Sequence, residues 1–490
     1  NKGLYGSGKI EYSGSTIESE SFLLLPNETI ATANKFTVPE SGKYPAVVGA
    51  NLGTSWKPYD SKMSLATSNE DASMKVFKMG YDFKGEMKVT PSNLRADGDL
   101  IWSEAEFSSR DMVYETNGVT ADSGSIKIFA ADSNKIAFNA SNLKSDIDFT
   151  TREGKFTANN ASDKTYLPFN QYSSNLNDYT WNMDKKTIDI NLGNMDGNKP
   201  FFMATTPGAD SLKFEAKHAL FSIETGVLAI DEIPYIDVAD SRVFPDGGKA
   251  VIRENADMDT LVNSKIDANR IDKFHQFYTC KTKIKGRNQL RASGLFIYEN
   301  KHGKQEVFFD SIFAHNKILY GDAYVEVEDD FVIDRLIGYK GVMRVQGNSQ
   351  KNHLFGYVQP QHGFDSFKSK WVRYRDSIDR NNVVLRIGVP EDEDGRKLPI
   401  GVYGVGRGTG YYPMFYGWKQ RYSDIDVHVD TGVMYYDYGQ KKIMIGDEGR
   451  LLNGEYGGNI MSIDVTKGFM AAKGAMYFGF NYNKSNPNPN

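Results

Sequence analysis

Apolar and polar positions alternate with a period of two along short stretches of this chain. In LRADGDLIW (94–102) the even positions are Leu94, Ala96, Gly98, Leu100 and Trp102, whereas Arg95, Asp97 and Asp99 occupy odd ones. Alternate residues of a strand point to opposite faces, so one face here is apolar and the other wet. That division is what an antiparallel sheet packed on one side requires. The form recurs as LYGSGKIEY (4–12), LRASGLFIY (290–298) and MAAKGAMYF (470–478). Two shorter relatives, FKGEMKV (83–89) and YKGVMRV (339–345), share the central glycine. The starts of the four long copies are 90, 196 and 180 residues apart (94−4, 290−94, 470−290), a loose repeat rather than a solenoid of fixed rung.

A glycine on the packed face removes volume and weakens the strand by roughly 0.5–1 kcal/mol relative to alanine. It is tolerated where a sheet bends inward or where a neighbouring aromatic lies across the backbone. Six such strands therefore predict strongly curved sheets. Hairpins join the strands. YETNGVTAD (114–122), FTTREGKFTAN (149–159), FSIETGVLAI (221–230) and YYDYGQKKIMI (435–445) each read strand, glycine turn, strand, and YENKHGKQEVFFD (298–310) and WNMDKKTIDI (181–190) are variants. No amphipathic pattern runs for three helical turns; the best short candidates are 255–266 and 364–377. The predicted fold class is all-β: elongated, mostly antiparallel, strongly curved sheets with few short helices. Loop-rich passages divide it into first curled-sheet strands at 1–40, β modules at 63–192, 200–368 and 383–482, and a disordered tail at 483–490.

Composition sharpens this picture in three ways. With 490 residues and 40% hydrophobic positions the chain can bury a sizeable core, and 28 Tyr, 29 Phe and 46 Gly favour strands and turns over helices. A net charge of −5 and the lack of a long basic run argue against nucleic acid as a partner. Cys280 is the only cysteine, which excludes an internal disulfide and any cysteine-built metal cluster. No stretch reaches the roughly 18 apolar residues of a membrane-spanning helix. The opening NKGLYGSGKIEYSG enters strand pattern almost at once, which suggests a piece of a longer chain.

Candidate chemistry is sparse. GVGRGTG (404–410) lacks the Lys-Ser/Thr of a phosphate loop and precedes YYPMFYGW, so it reads as a flexible loop. VHVDTGV (427–433) and ADSGS (121–125) contain the Asp-Thr-Gly and Asp-Ser-Gly of a shared-proton carboxylate pair, but both also fit ordinary turns. None of the seven histidines has helical metal-pair spacing, and EDEDG (391–395) lacks the rest of a calcium loop. No catalytic set, metal site or cofactor emerges. What remains is the apolar face, with Ile10, Tyr12, Leu94, Leu100, Trp102, Phe296, Tyr298, Met343, Met476 and Phe478 as candidates to line a groove. Ordinary core packing explains the same residues. A groove would suit an acyl chain, since each buried CH₂ contributes about 0.8 kcal/mol.

The hairpin at 114–122 and its weaker copies at 149–159 and 435–445 resemble the repeat of the OstA-like lipopolysaccharide-transport family of β-jellyroll, or β-taco, domains. The glycine-centred strands also resemble AsmA- and TamB-type bridge proteins. These resemblances imply a U-shaped β structure whose interior conducts lipid or lipopolysaccharide between membranes. Segments 233–270, 290–312 and 435–465 resemble parts of very large uncharacterised proteins of Bacteroidota, implying an extracytoplasmic, periplasmic or outer-membrane-associated setting in a Gram-negative envelope. The expected function is a non-enzymatic envelope protein with an apolar groove for lipid. The alternative is a structural or adhesive scaffold with a filled core, its partners being envelope proteins or the rest of a longer chain.

Overall fold

The computed structural model describes residues 3–68, 71–130, 135–194 and 197–478; the expected tail at 483–490 lies outside them. The chain is all-β, with 59% of residues in strands, in antiparallel and strongly curved sheets. Its one α-helix among the described residues is the five-residue Glu448–Leu452. Neither short helix candidate forms. Within them, Glu254–Ala256 and Asp365–Phe367 make single 3₁₀ turns that lead into the strands Leu261–Ala268 and Val372–Ile378. All six hairpins read from the turn signals are present.

Contacts divide the chain into two compact units. The first comprises 1–238, 243–261 and 283–289; the second comprises 239–242, 262–282 and 290–490. The division falls inside the segment 200–368, which the loop signals treat as one module.

The first unit holds a 23-stranded sheet. It begins with β1 (Leu4–Tyr12), β2 (Ser15–Leu24), β3 (Thr29–Ala33), β4 (Lys35–Val38), β5 (Val47–Ala50) and β6 (Leu52–Lys57). These are followed by β7 (Lys62–Ala66), β8 (Ser73–Val76), β9 (Tyr81–Val89), β10 (Leu94–Trp102), β11 (Ala105–Tyr114) and β12 (Gly118–Phe129). Eight of them close a circuit of hydrogen-bonded pairs: β2 to β3, β6, β7, β9, β8, β5, β4 and back to β2. The circuit closes because β3 and β4 take opposite ends of one edge of β2. A single residue, Asn34, separates them, and Asn51 (φ +56°) separates β5 from β6. Each break shifts the buried parity: Ala31 and Ala33 face in before Asn34, Phe36 and Val38 after it. The apolar face thus stays inside while the sheet turns a corner. Beyond β12 the unit continues in short hairpins to Ala250–Ile252.

The second unit contains a meander of long strands, Gln289–Asn300, Gly303–His315, Ile318–Val325, Ile337–Gln346, Ser349–Pro360 and Val372–Ile378, each paired with the next. It also holds a three-stranded sheet centred on Ile400–Gly404, and a five-stranded sheet running from Leu385–Ile387 to Phe469–Lys473.

The alternation read from the sequence holds in β10, where Leu94, Ala96, Leu100 and Trp102 are buried and Asp97 is exposed. The glycine at its centre has a more specific cause than either use proposed for it above. Gly98 faces Gly85 of β9 directly across the ladder. A Cβ on Gly98 would lie 2.8 Å from the Gly85 Cα, and one on Gly85 would lie 2.7 Å from the Gly98 Cα. Both residues have φ in the range glycine alone adopts freely, +152° and +142°. What presses on the bare positions is neighbouring backbone. The second unit repeats the device with Gly341 facing Gly356, where the Cβ distances would be 2.6 and 2.8 Å. Aromatic rings do lie against other glycines, as at Gly124 under Phe107 and Gly321 under Phe277 and Phe309.

Three of the four long copies pair with their next strand through a β-bulge. Between Ala96 and Gly98 β10 advances two residues while β11 advances three, from Ser109 to Met112. Gly6 to Gly8 opposes Ser19 to Phe22, and Ala292 to Gly294 opposes Phe309 to Ile312. The extra residue bends and twists the partner strand, which is how a sheet acquires strong curvature.

Candidate functional site

The residues proposed to line a groove fall into three environments. Leu94, Leu100 and Trp102 are buried in the first unit, and Phe296, Tyr298 and Met343 are buried in the second. Ile10 and Tyr12 lie half-buried on β1, with the Tyr12 ring 6.0 Å from that of Trp56. Met476 and Phe478 are 47% and 51% exposed and stand outside any strand. The reason lies at Gly474 (φ +138°), where the last glycine-centred copy turns a corner. Met470 and Ala472 pair with Ile460–Asp464 in the five-stranded sheet. After Gly474, the Tyr477 N–H donates to the Val427 carbonyl at 2.7 Å, beside the edge of the three-stranded sheet.

The buried candidates have side chains packed against them. Trp102 stacks on Trp181 at 5.9 Å and meets Phe149 edge-on at 5.5 Å. Phe296 lies 5.4 Å from Phe309 and 5.8 Å from Phe277, and Tyr298 lies 5.1 Å from Phe331 while its hydroxyl donates to the Ile333 carbonyl at 2.8 Å. Such edge-to-face and offset pairs are the usual packing of aromatic rings in a core. Cys280 is buried behind Gly294, and burial pushes its thiol up to about 12.

The glycine string 404–410 is the loop of the hairpin between Ile400–Gly404 and Tyr411–Phe415, so a strand follows it and no helix does. Its Gly406 N–H donates to a carboxylate, Asp424, at 3.0 Å. The Tyr412 hydroxyl and the Arg421 N–H donate to the same group, and with Gly406 they hold it below the usual carboxylate range. The acidic turn 391–395 is closed on itself, since Asp392 accepts the N–H groups of Asp394 and Arg396 at 3.0 and 2.8 Å. Among the described residues no group of three or more His, Cys, Asp or Glu side chains is placed to hold a metal ion.

The Asp-Thr-Gly residues occupy a different setting from Asp-Ser-Gly. Asp122 is exposed on β12. Asp430 is buried, accepts the Thr431 N–H at 3.0 Å through Oδ1, and has no hydrogen-bond partner at Oδ2. Burial pushes its carboxyl up to about 7. The His428 Nε2 lies 3.9 Å from Oδ2, while its Nδ1–H donates to the Ala475 carbonyl at 3.0 Å.

Asp430 lines a cleft of about 940 Å³ in the second unit. Three separate segments build it: the turn at 388–390 with Lys397–Ile400, the loop carrying Trp418, Lys419 and Tyr422, and Val429–Thr431. Its walls leave large apolar side chains open to solvent: Val389 is 66% exposed, Trp418 46%, Val429 43%, and Tyr422 completely. Sequence reasoning missed this cleft, because no local motif marks it. The chain matches no family model, no curated protein and no solved structure.

Proposed function

We propose that this chain is a non-enzymatic, structural or adhesive β-rich scaffold whose curled sheets enclose a filled core, rather than a conduit for lipid along their apolar face. The observation that carries the reading is the set of partners opposite the inner aromatics. Trp102 lies against Trp181 and Phe149, and Phe296 against Phe309 and Phe277, so an acyl chain would have to displace rings that already contact one another. The glycines support it too, since Gly85, Gly98, Gly341 and Gly356 admit neighbouring backbone and leave no space for a guest. A scaffold of this kind would be displayed outside the cytoplasm against other envelope proteins, a placement that rests on the sequence resemblance alone.

The test places a photo-activatable side chain at Leu100 or Met343 in cells and extracts lipid from the purified protein. The scaffold reading expects no lipid adduct at either position and the same melting curve before and after delipidation. A stoichiometric lipid adduct at Leu100 or Met343, or loss of cooperative melting on delipidation, would overturn it in favour of the conduit.

A further inference from the structure

We infer that the cleft beside Asp430 in the second unit binds a long-chain fatty carboxylate, its acyl chain along Val389, Leu398, Trp418 and Val429 and its carboxylate at Lys370 and Lys397. This site is separate from the curled-sheet interior and stands whether or not that interior is filled.

Three observations converge on such a ligand. The first is size and lining: about 940 Å³ is within the range of small-molecule sites, and the walls are mostly aliphatic and aromatic. The second is the exposure of Val389, Trp418, Tyr422 and Val429 together, a contiguous apolar surface that water solvates poorly. The third is charge. Lys397 lines the cleft, and the Lys370 Nζ sits 4.7 Å from the centre of the Trp418 ring. Neither lysine has a carboxylate within salt-bridge distance among the described residues. Their neighbours differ: Lys419 is paired with Asp426, and Arg396, also over Trp418 at 5.4 Å, lies 3.7 Å from Asp394. One ammonium group without an anion, Lys397, therefore lines the cleft, and a second, Lys370, lies against the Trp418 ring that forms part of its wall. Asp430 does not cancel them, because its Oδ2 is buried away from solvent and faces His428.

The chemistry selects among ligands. A sugar would set its hydroxyls against Val389, Leu398, Ile400 and Val429, which cannot hydrogen-bond them. A cationic amphiphile of the same chain length meets like charge at Lys370 and Lys397. A fatty carboxylate satisfies both the walls and the amines.

Calorimetric titration of the whole chain with dodecanoate below its micelle concentration tests the assignment. The expected result is one site per chain, an affinity that falls roughly tenfold for each two methylenes removed from the ligand, and binding of dodecyltrimethylammonium at least tenfold weaker. Lys370→Glu with Lys397→Glu is expected to weaken dodecanoate at least tenfold and to improve the cationic ligand. Both substitutions are on exposed side chains, and an unchanged circular dichroism spectrum and melting curve would confirm the fold. Val389→Glu should block both ligands. Equal affinity for the two headgroups, no response to the double lysine change, or uptake only from phospholipid vesicles would each overturn the proposal. Lipid adducts at Leu100 or Met343 bear on the scaffold reading and leave this one untouched.

Discussion

Replacing Gly98 by alanine puts the backbone argument to a quantitative test. The new Cβ would meet the β9 backbone, 2.8 Å from the Gly85 Cα and closer still to the Lys84 carbonyl oxygen. Neither atom belongs to a flexible side-chain end, so relief requires the two strands to move apart. Holding a non-glycine residue at φ +152° costs about 1–3 kcal/mol in strain. Displacing packed backbone adds about 1–3 kcal/mol. Together these predict a loss of about 2–6 kcal/mol, a large share of the ~5–15 kcal/mol that holds a typical domain folded. Gly8 supplies the control. It occupies the same place in the repeat, with φ +132°, but a Cβ there meets nothing within 4 Å, and β1 is exposed and free to relax. Gly8→Ala bears at most the backbone strain of about 1–3 kcal/mol, without the clash. Urea unfolding followed by circular dichroism measures both, with the slope of the transition used to confirm that the same surface is exposed. The double variant Gly85→Ala/Gly98→Ala should cost less than the sum of its parts, because strands already separated by one methyl group accommodate the second. Near-equal costs for Gly98→Ala and Gly8→Ala, or strict additivity of the pair, would refute contact across the ladder as the reason for the glycines.

Four further outcomes follow from the packing and titration of single residues. Trp102→Ala should destabilise the first unit by ~3–5 kcal/mol; Trp102→Phe should recover most of this, because the indole N–H has no hydrogen-bond partner to lose, and thermal melts of the two variants decide it. His275 is buried with its pKa lowered to about 4; its contribution is present above the unfolded value near 6.5 and is lost as pH falls towards 4, so His275→Gln should flatten acid destabilisation in that window. Asp430 has the opposite sign: a folded pKa of about 7 above an unfolded value near 3.9 means stability declines from about pH 4 to 7, and Asp430→Asn should stabilise at pH 8 but not at pH 4 in urea titrations. Cys280, buried with its thiol pushed up to about 12, should resist Ellman's reagent in the folded protein and react at once in denaturant.

The sequence carried much of the fold because its signals have a local cause. Period-two alternation fixed the inner face of β10 before any coordinate, and the glycine turns located six hairpins. The purpose of the glycines was only half legible. Gly85 and Gly98 were both visible as members of a repeat, but nothing in either segment says that they face each other. Gly356, in HLFGYVQP, lies outside the six strands of the repeat, and only the ladder shows that it faces Gly341. The bulges were hidden for a similar reason, since the extra residue sits on the next strand, at 109–112 or 309–312. MAAKGAMYF matched the pattern as well as any copy, yet Met476 and Phe478 lie outside the sheet. Whether a glycine bends a strand or ends it is decided by what pairs on its far side. The cleft at 388–431 was illegible because its walls come from segments that meet only in three dimensions.

Among the described residues β1 pairs with β2 and with no other strand of the 23-stranded sheet. Its outer amides would ordinarily invite another chain to add on. Here the departure from regular spacing at Gly6–Gly8 twists that rim, and Lys9 and Glu11 stud it with charge. An incoming strand would have to follow that twist and strip water from ionised groups. The same bulge that lets the sheet roll up thus makes its border a poorer template for another strand.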